Sequence, residues 1–554
     1  MAVLAGLVWA LAFPPVSAAG MGWVAPLLLA LPGLAVSGGR AFRLGWLAGW
    51  VHHLATLVWL LWNPFPAGAA AGWVALSAFL ALYPATWAWL LRRWLPGGRA
   101  EGENAPPGWR RLAEGGGARR AAWALAGAAA WVALEMAQAR VLTGFPWNFL
   151  GVSQVADLPL IQVASWTGVY GVSFVMVWLS LALLGGGVTA GVRLQGAKPA
   201  VRRLAGPGGL AAREVLPAAL AVGALWLWGG RELLDAGAGG GGRKLRVALV
   251  QPSIPQRLIF DPAEATRRFE QLLELTDLAL AADPDLLVWP EAALPSLSRE
   301  QYAKLVTRIR SGRAWMILGG DDVRPNPEHP DRVDWFNAAF LLSPRSGLKA
   351  VYHKQRLVIF GEYVPLQEWL PWLGWLTPVT ASFRAGRGPV PFRLTPFGVT
   401  TSVLICFEDT FARLARRHAT ADTDFLLNLT NDAWFGETAA QWQHLAAATF
   451  RAVENRLPLV RCANNGISGW VTAHGAWRNL AFGPGTRVYD RGFKIIEVPL
   501  GPSPRPLTFY TRHGDVFGWT CVAVSVVLLG GIRPRRPRGR PENDAPGETA
   551  PASA

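Results

Sequence analysis

Ser402–Phe411 reads SVLICFEDTF: an apolar, β-like run that stops at Cys406, with Glu408 and Asp409 just beyond it. Free cysteine is among the most buried residue types, so a packed thiol is the first expectation. Two other strand-like runs also end on reactive side chains. DLLVWPE ends on Glu291 and GLKAVYHK ends on Lys354. Functional groups often stand where a rigid strand gives way to a loop. A thiol with a reference pKa of about 8.5 holds little thiolate at neutral pH. An ammonium nearby favours the thiolate, and a carboxylate can take its proton. Glu291, Lys354 and Cys406 are therefore a chemically sufficient set for acyl transfer. The chain has no GxSxG elbow, no Walker loop and no cysteine or histidine pair at zinc spacing, so no metal or cofactor is expected.

Around these residues the segment 245–505 reads as one α/β domain. KLRVALVQ, WMILGG, NAAFLLS, DFLLNLTND and LPLVRCANNG are further strand candidates. DPAEATRRFEQLLELTDLALAA reads as a helix, with Asp261 as N-cap, Pro262 at the first position and Glu264 completing a capping box. Phe269, Leu272, Leu273 and Thr276 would share its inner face. Glycine-rich DAGAGGGG, within 231–244, reads as a flexible linker into the domain.

The rest of the 554-residue chain has another character. Charged residues make up only 16% of the whole, against about 25% in soluble domains, and hydrophobic residues 51%. The mean hydropathy is +0.24. The 29 tryptophans suit a membrane–water interface. Apolar blocks lie near 2–18, 22–38, 42–62, 70–91, 121–139, 160–186, 214–230 and 514–532. Each is close to the about 20 residues that cross a hydrocarbon core. The first lacks a basic leader and reads as a retained helix, not a signal peptide. Residues 1–230 are thus expected to form a seven-helix membrane domain, with an eighth helix at 514–532. Residues 533–554 would be a basic, disordered tail.

The net charge of +16 suggests nucleic acid at first. The arginines instead cluster in alternate breaks: Arg40 and Arg43, Arg92 to Arg120, Arg193 to Arg213, and the tail from Arg533. Break 63–70 has no Lys or Arg, and 140–159 has only Arg140. This is the positive-inside pattern, with both termini cytoplasmic and 245–505 outside. No nucleic acid partner is expected, and nothing demands more than a monomer.

With those motifs in place, the segment resembles the nitrilase superfamily, whose members use a Glu–Lys–Cys triad. VWPEAALP matches its glutamate motif, HKQRLVIFGEYVP its lysine motif and LICFEDTF its cysteine motif. Nearly the whole chain resembles the apolipoprotein N-acyltransferase family, through VLTGFPWNFLGVSQ, QPSIPQRLIFD, NLTNDAWFG, WQHLAAATFRAVENRLPLVRCANNGISG and TRHGDVFGW. The resemblance implies an αββα sandwich outside the bacterial inner membrane. It implies Glu291 as general base, Cys406 as nucleophile and Lys354 as oxyanion stabiliser, with Glu362 and Glu408 as supporting acids. Asn431, Asp432, Trp434 and Phe435 would line the pocket, and Phe145 and Trp147 would contact lipid. Phe260 and Phe407 stand where the family often has tryptophan and tyrosine; both keep a ring and lose a polar handle.

The implied reaction moves an acyl chain from a phospholipid, through a thioester on Cys406, to the α-amine of a diacylglyceryl-cysteine on an apolipoprotein. A membrane-tethered amidase hydrolysing small C–N substrates is the alternative that the triad alone leaves open. Cys462 and Cys521 are expected to be packing residues. His52 and His53 are expected to be packed or interfacial. Glu135, inside a span, could be functional or simply paired.

Overall fold

The computed structural model describes residues 1–96, 107–195, 207–238, 242–259, 261–292, 294, 297–366, 369–370, 372, 374, 382–480 and 488–531. Phe260, the linker residues 239–241 and the tail 533–554 lie outside the described residues.

The strand candidates fold into two sheets. The strands are β1 (Lys244–Gln251), β2 (Leu286–Val288), β3 (Trp315–Pro325), β4 (Val333–Ser343), β5 (Gly347–His353), β6 (Pro391–Leu394), β7 (Val399–Ile405), β8 (Phe425–Thr430), β9 (Leu459–Ala463), β10 (Gly469–Val471), β11 (Trp477–Arg478) and β12 (Gly492–Pro499). One sheet has the order β12-β1-β2-β3-β4-β5, the other β11-β10-β9-β8-β7-β6. β1, β2 and β3 run parallel, as do β7, β8 and β9.

Parallel strands covered on both faces read as near-continuous apolar runs, which is why these were legible. The two sheets share one core, where Val247, Val288 and Ile317 meet Val403, Leu427 and Val460. Cys462 sits fully buried in that core, a packing thiol. On the outer face of the first sheet, the helix Ala265–Ala281 buries Phe269, Leu272, Leu273 and Thr276. The helices Ala412–His418 and Ala439–Asn455 cover the second. The layers are αββα.

Two expectations are corrected here. Asp261 caps a 3₁₀ turn, Pro262–Glu264, through Ala263 N–H, and the α-helix starts only at Ala265. Glu264 turns to Arg267 at 3.4 Å instead of closing a capping box. The linker is also shorter than 231–244, because the helix Pro207–Ala238 runs through its first half.

The helical part contains Ala2–Leu11, Gly20–Leu34, Gly38–Thr56, Pro66–Leu80, Leu82–Arg93, Gly117–Gln138, Val169–Gln195, Pro207–Ala238 and Val516–Gly530. The block at 70–91 is broken at Ala81 into two helices. The block at 160–186 is broken too. Short turns Leu158–Ile161 and Ala164–Thr167 end at Gly168, with φ +67°, and the long helix starts after it. A side chain at Gly168 would meet the Tyr510 ring at 2.8 Å, so glycine serves both the left-handed turn and the close approach. Stretches Pro66–Arg93 and Val169–Val192 are long and apolar enough to cross a membrane.

Inside this layer, His52 stacks on Trp9 at 3.7 Å, as a packed residue should. Cys521 is buried in the last helix. Glu135 proves to be an anchor. Its Oε1 accepts from Trp131 Nε1, the Leu150 N–H and Ser173 Oγ at 2.9, 2.9 and 3.1 Å, tying three segments together.

Candidate active site

Three strand ends converge. β2 delivers Glu291 three residues past its end, β5 ends one residue before Lys354, and β7 ends one residue before Cys406. Lys354 is buried, with Nζ 3.1 Å from Glu291 Oε1 and 2.8 Å from Glu362 Oε1. Asn337, on β4, donates from one amide to both carboxylates at 2.8 Å. The other oxygen of Glu291 accepts from the Asn431 N–H at 3.1 Å, and that of Glu362 from the Val358 N–H at 2.8 Å. The two acids are thus fixed from both sides.

Burial alone would lower the Lys354 ammonium, but the Glu291 and Glu362 carboxylates override it and hold it well above the ordinary range. Lys354 is a permanent cation here, unsuited to act as a base. Its Nζ lies 5.7 Å from the Phe407 ring centroid, so that ring faces the lysine.

Cys406 has φ +55°, a left-handed conformation that costs a non-glycine residue energy. It opens a 3₁₀ turn, Cys406–Thr410, immediately after β7. Its carbonyl is held by Asn428 Nδ2 at 2.8 Å. The residue is half-buried, unlike the fully buried Cys462. Burial and the charge of Glu291 push its thiol well up, against the pull of Lys354. This environment favours the protonated thiol, so any reaction at Cys406 needs a group to take its proton.

The two supporting acids differ. Glu362 touches the lysine. Glu408 instead accepts four hydrogen bonds, from the N–H groups of Gln355, Arg356 and Ile405 and from Tyr352 Oη, at 2.7 to 2.9 Å. It orients Lys354 through the backbone that follows it. Burial pushes its carboxyl up to about 7 against those donors.

The side chains of Asn431 and Asp432, which the sequence reading names as pocket residues, are both buried in polar clusters beside the triad. The Asn431 side chain is buried against Gln256, Asn464 and the Ala433 N–H. Asp432 joins a buried ionic cluster in which His444 bridges Asp409 at 2.6 Å and Asp432 at 3.1 Å, while Arg461 pairs with Asp409. Burial would lower His444, but Asp409 and Asp432 raise it to about 9. This cluster locks the turn after Cys406 to the turn after β8. Trp434 and Phe435 are half-buried, and Phe435 packs edge-on against Trp59 at 4.6 Å.

Trp147 is buried too, and its Nε1 donates to Gln443 Oε1 at 2.8 Å, with Phe145 stacked on its ring at 5.9 Å. The same oxygen accepts from Trp59 Nε1 and Asn148 Nδ2, and Gln443 Nε2 donates to the Pro14 and Thr56 carbonyls, all within 3.2 Å. One amide of the αββα domain is therefore saturated by the helical layer.

Sequence reasoning missed Asn337, His444, Gln443 and Asp321. Asp321 pairs in register with Asn337, and burial together with Glu291 and Glu362 pushes it up to about 7. Asn337 and Asp321 become visible only once strand register is known, and Gln443 and His444 only once the helix Ala439–Asn455 is packed in place.

Residues 246–496 match the family model described as carbon-nitrogen hydrolase, which accords with the sandwich and its Glu, Lys and Cys. Residues 5–182 match the apolipoprotein N-acyltransferase N-terminal domain. The apolipoprotein N-acyltransferase of Geobacter metallireducens is 34% identical, covering 95% of this chain and 94% of that one. Those of Caulobacter vibrioides (31%; 96% and 94%) and Azotobacter vinelandii (33%; 91% and 88%) are similar in extent. The chain belongs to the apolipoprotein N-acyltransferase family, a family of bacterial membrane enzymes. Among solved structures, an amidase from Nesterenkonia sp. is similar at TM-score 0.34 and 20% identity, over 47% of this chain and 92% of that one.

Proposed function

We infer that this chain acylates the α-amine of diacylglyceryl-cysteine at the N-terminus of apolipoproteins, using a phospholipid as donor. The observation that carries the mechanism is the buried Lys354 clasped by Glu291 and Glu362, on strand ends that meet the half-buried Cys406. Cys406 Sγ attacks the donor ester while Glu291 takes the thiol proton. Lys354 and backbone N–H groups hold the tetrahedral oxyanion. The C–O bond breaks, Glu291 returns the proton to the leaving alkoxide, and lysophospholipid departs. The acceptor amine then attacks the thioester and gives its proton to Glu291. The C–S bond breaks, the thiolate is reprotonated, and an amide remains.

The helical layer gives this chemistry its lipids. Each CH₂ taken out of a lipid environment costs about 0.8 kcal/mol, so a site walled by apolar helices avoids stripping acyl chains into water. In this reading eight spans cross the inner membrane, both termini are cytoplasmic, and the 245–505 domain stands outside. Phe145, Phe407, Trp434 and Phe435 border the acyl path, while Trp147 docks the two layers. The protein acts as a monomer.

Intact-mass spectrometry of the purified protein with phospholipid tests this, wild type beside Cys406→Ala. A fatty-acyl increment on wild type alone, discharged by a diacylglyceryl-cysteine peptide, is expected. An increment discharged equally by water would favour an amidase-like hydrolase, and no increment with any phospholipid would sink the nucleophile assignment.

A further inference from the structure

A cavity of about 230 Å³ opens between the αββα domain and the helical layer, beside the triad but not part of it. Gln355 and Arg356, which follow Lys354, form one wall, and Thr410 and Phe411, in the turn opened by Cys406, form another. Ala139 and Pro146 close it from the helical side. Phe407, facing Lys354, packs edge-on against Phe411 at 5.3 Å, and Phe411 lies under the Arg356 guanidinium at 5.3 Å. Two aromatic rings thus separate this cavity from the catalytic lysine.

Its charge is one-sided. Arg140, Arg356, Arg387, Arg413 and Arg417 line it, with Asp515 as the one acid in the lining. Asp515 is already engaged by Arg140 and by Tyr510 Oη. Arg356 donates to the Thr143 carbonyl at 3.3 Å, reaching across to the helical side. Arg387, Arg413 and Arg417 have no carboxylate partner among the described residues. Gathering like charges costs energy unless an anion joins them. The cavity is too small for an acyl chain pair and suits a compact polar group. Guanidinium forks match phosphate oxygens in pairs.

We propose that this arginine-lined cavity binds the phosphodiester of the acyl-donor phospholipid and so positions its ester toward Cys406. The proposal rests on the acyltransferase reading and adds the residues that recognise the donor's head. Arg413 and Arg417 are exposed, so replacing them should spare the fold.

The test uses the full chain in mixed micelles and the double variant Arg413→Gln/Arg417→Gln. Acyl-adduct formation is followed by intact mass with phosphatidylglycerol and with diacylglycerol, which keeps the esters but lacks phosphate. Expected is a rise of about tenfold in apparent KM for phosphatidylglycerol at low salt, a kcat within twofold, and no change for diacylglycerol. The effect should shrink at high salt, as screening demands. If free phosphate were the true ligand, millimolar inorganic phosphate would erase the difference between wild type and the double variant, which would overturn the proposal; a lipid headgroup site keeps that difference. An unchanged KM for phosphatidylglycerol, or an equal loss with diacylglycerol, overturns the proposal. Phosphatidylglycerol retention by Cys406→Ala, with and without the two arginines, reads binding without chemistry. Equal retention refutes the headgroup site even if acylation itself were absent, and absent acylation of wild type refutes the function alone.

Discussion

The two sheets of the αββα domain contribute unlike things. The first gathers charge: Glu291, Lys354, Asn337 and Asp321 all come from its strands or the residues just after them. The second carries Cys406, the proposed nucleophile, on a strained turn, locked from behind by the cluster of Asp409, His444, Asp432 and Arg461. Charge is held by side-chain bonds that a single substitution can remove. The nucleophile is held by backbone shape and a buried ionic lock. Apart from the Cys406 thiol itself, substitutions on the first sheet should therefore fail in rate, and those on the second in stability.

The hardest break is at the triad. Cys406→Ala should abolish the acyl adduct, with the protein folded and its melting temperature nearly unchanged. Lys354→Met should lower the acylation rate by about 10²–10³-fold, as loss of an oxyanion donor does. A rate within tenfold of wild type would remove the lysine from the mechanism.

The two supporting acids sharpen the contrast. Glu362→Gln should reduce kcat by roughly tenfold or more, because it removes a carboxylate from Lys354. Glu408→Gln should mainly lower stability, by about 1–3 kcal/mol, because four buried donors lose a carboxylate. Denaturation followed beside single-turnover rates separates the two. Equal kcat losses with unchanged stability would collapse the distinction.

The next effect is at the join of the layers. Gln443→Ala leaves three donors and two carbonyls without their partner. Faster hydrogen exchange around Thr56 and Trp147 is expected, with the core strands unaffected. Uniform exchange across both layers would show that the amide does not join them.

The smallest effect is a slope. His444 is raised from 6.5 to about 9, so its contribution is fully present below pH 6.5 and is lost as pH rises through about 9. Melting temperature should fall over that interval in wild type and stay flatter in His444→Gln. Parallel curves would remove the histidine as the cause.

Glu291, Lys354 and Cys406 each end a strand-like run, which made them candidates, and the resemblance of VWPEAALP, HKQRLVIFGEYVP and LICFEDTF to the superfamily motifs implied their roles. Asn337 was not legible, because it lies inside the run NAAFLLS and gains its role from the pairing that sets it opposite Asp321. Strands Gly469–Val471 and Trp477–Arg478 are too short to show alternation. The helix breaks at Ala81 and Gly168 fall within continuous apolar blocks, where hydropathy has no signal for a turn. The buried partners of Asn431 and Asp432 were not legible, because a motif says which residues matter, not which way they point.

The Gln443 amide fixes more than contact. Held to residues from three separate stretches of the helical layer, it fixes the αββα domain to that layer, and in the proposed reaction it would set the height of the thioester above the hydrocarbon as a rigid post sets a blade. An enzyme built so measures depth, not length. In the proposed reaction it would reach whichever ester lies at its own level in the leaflet, and the tail below that level would vary without the cut moving.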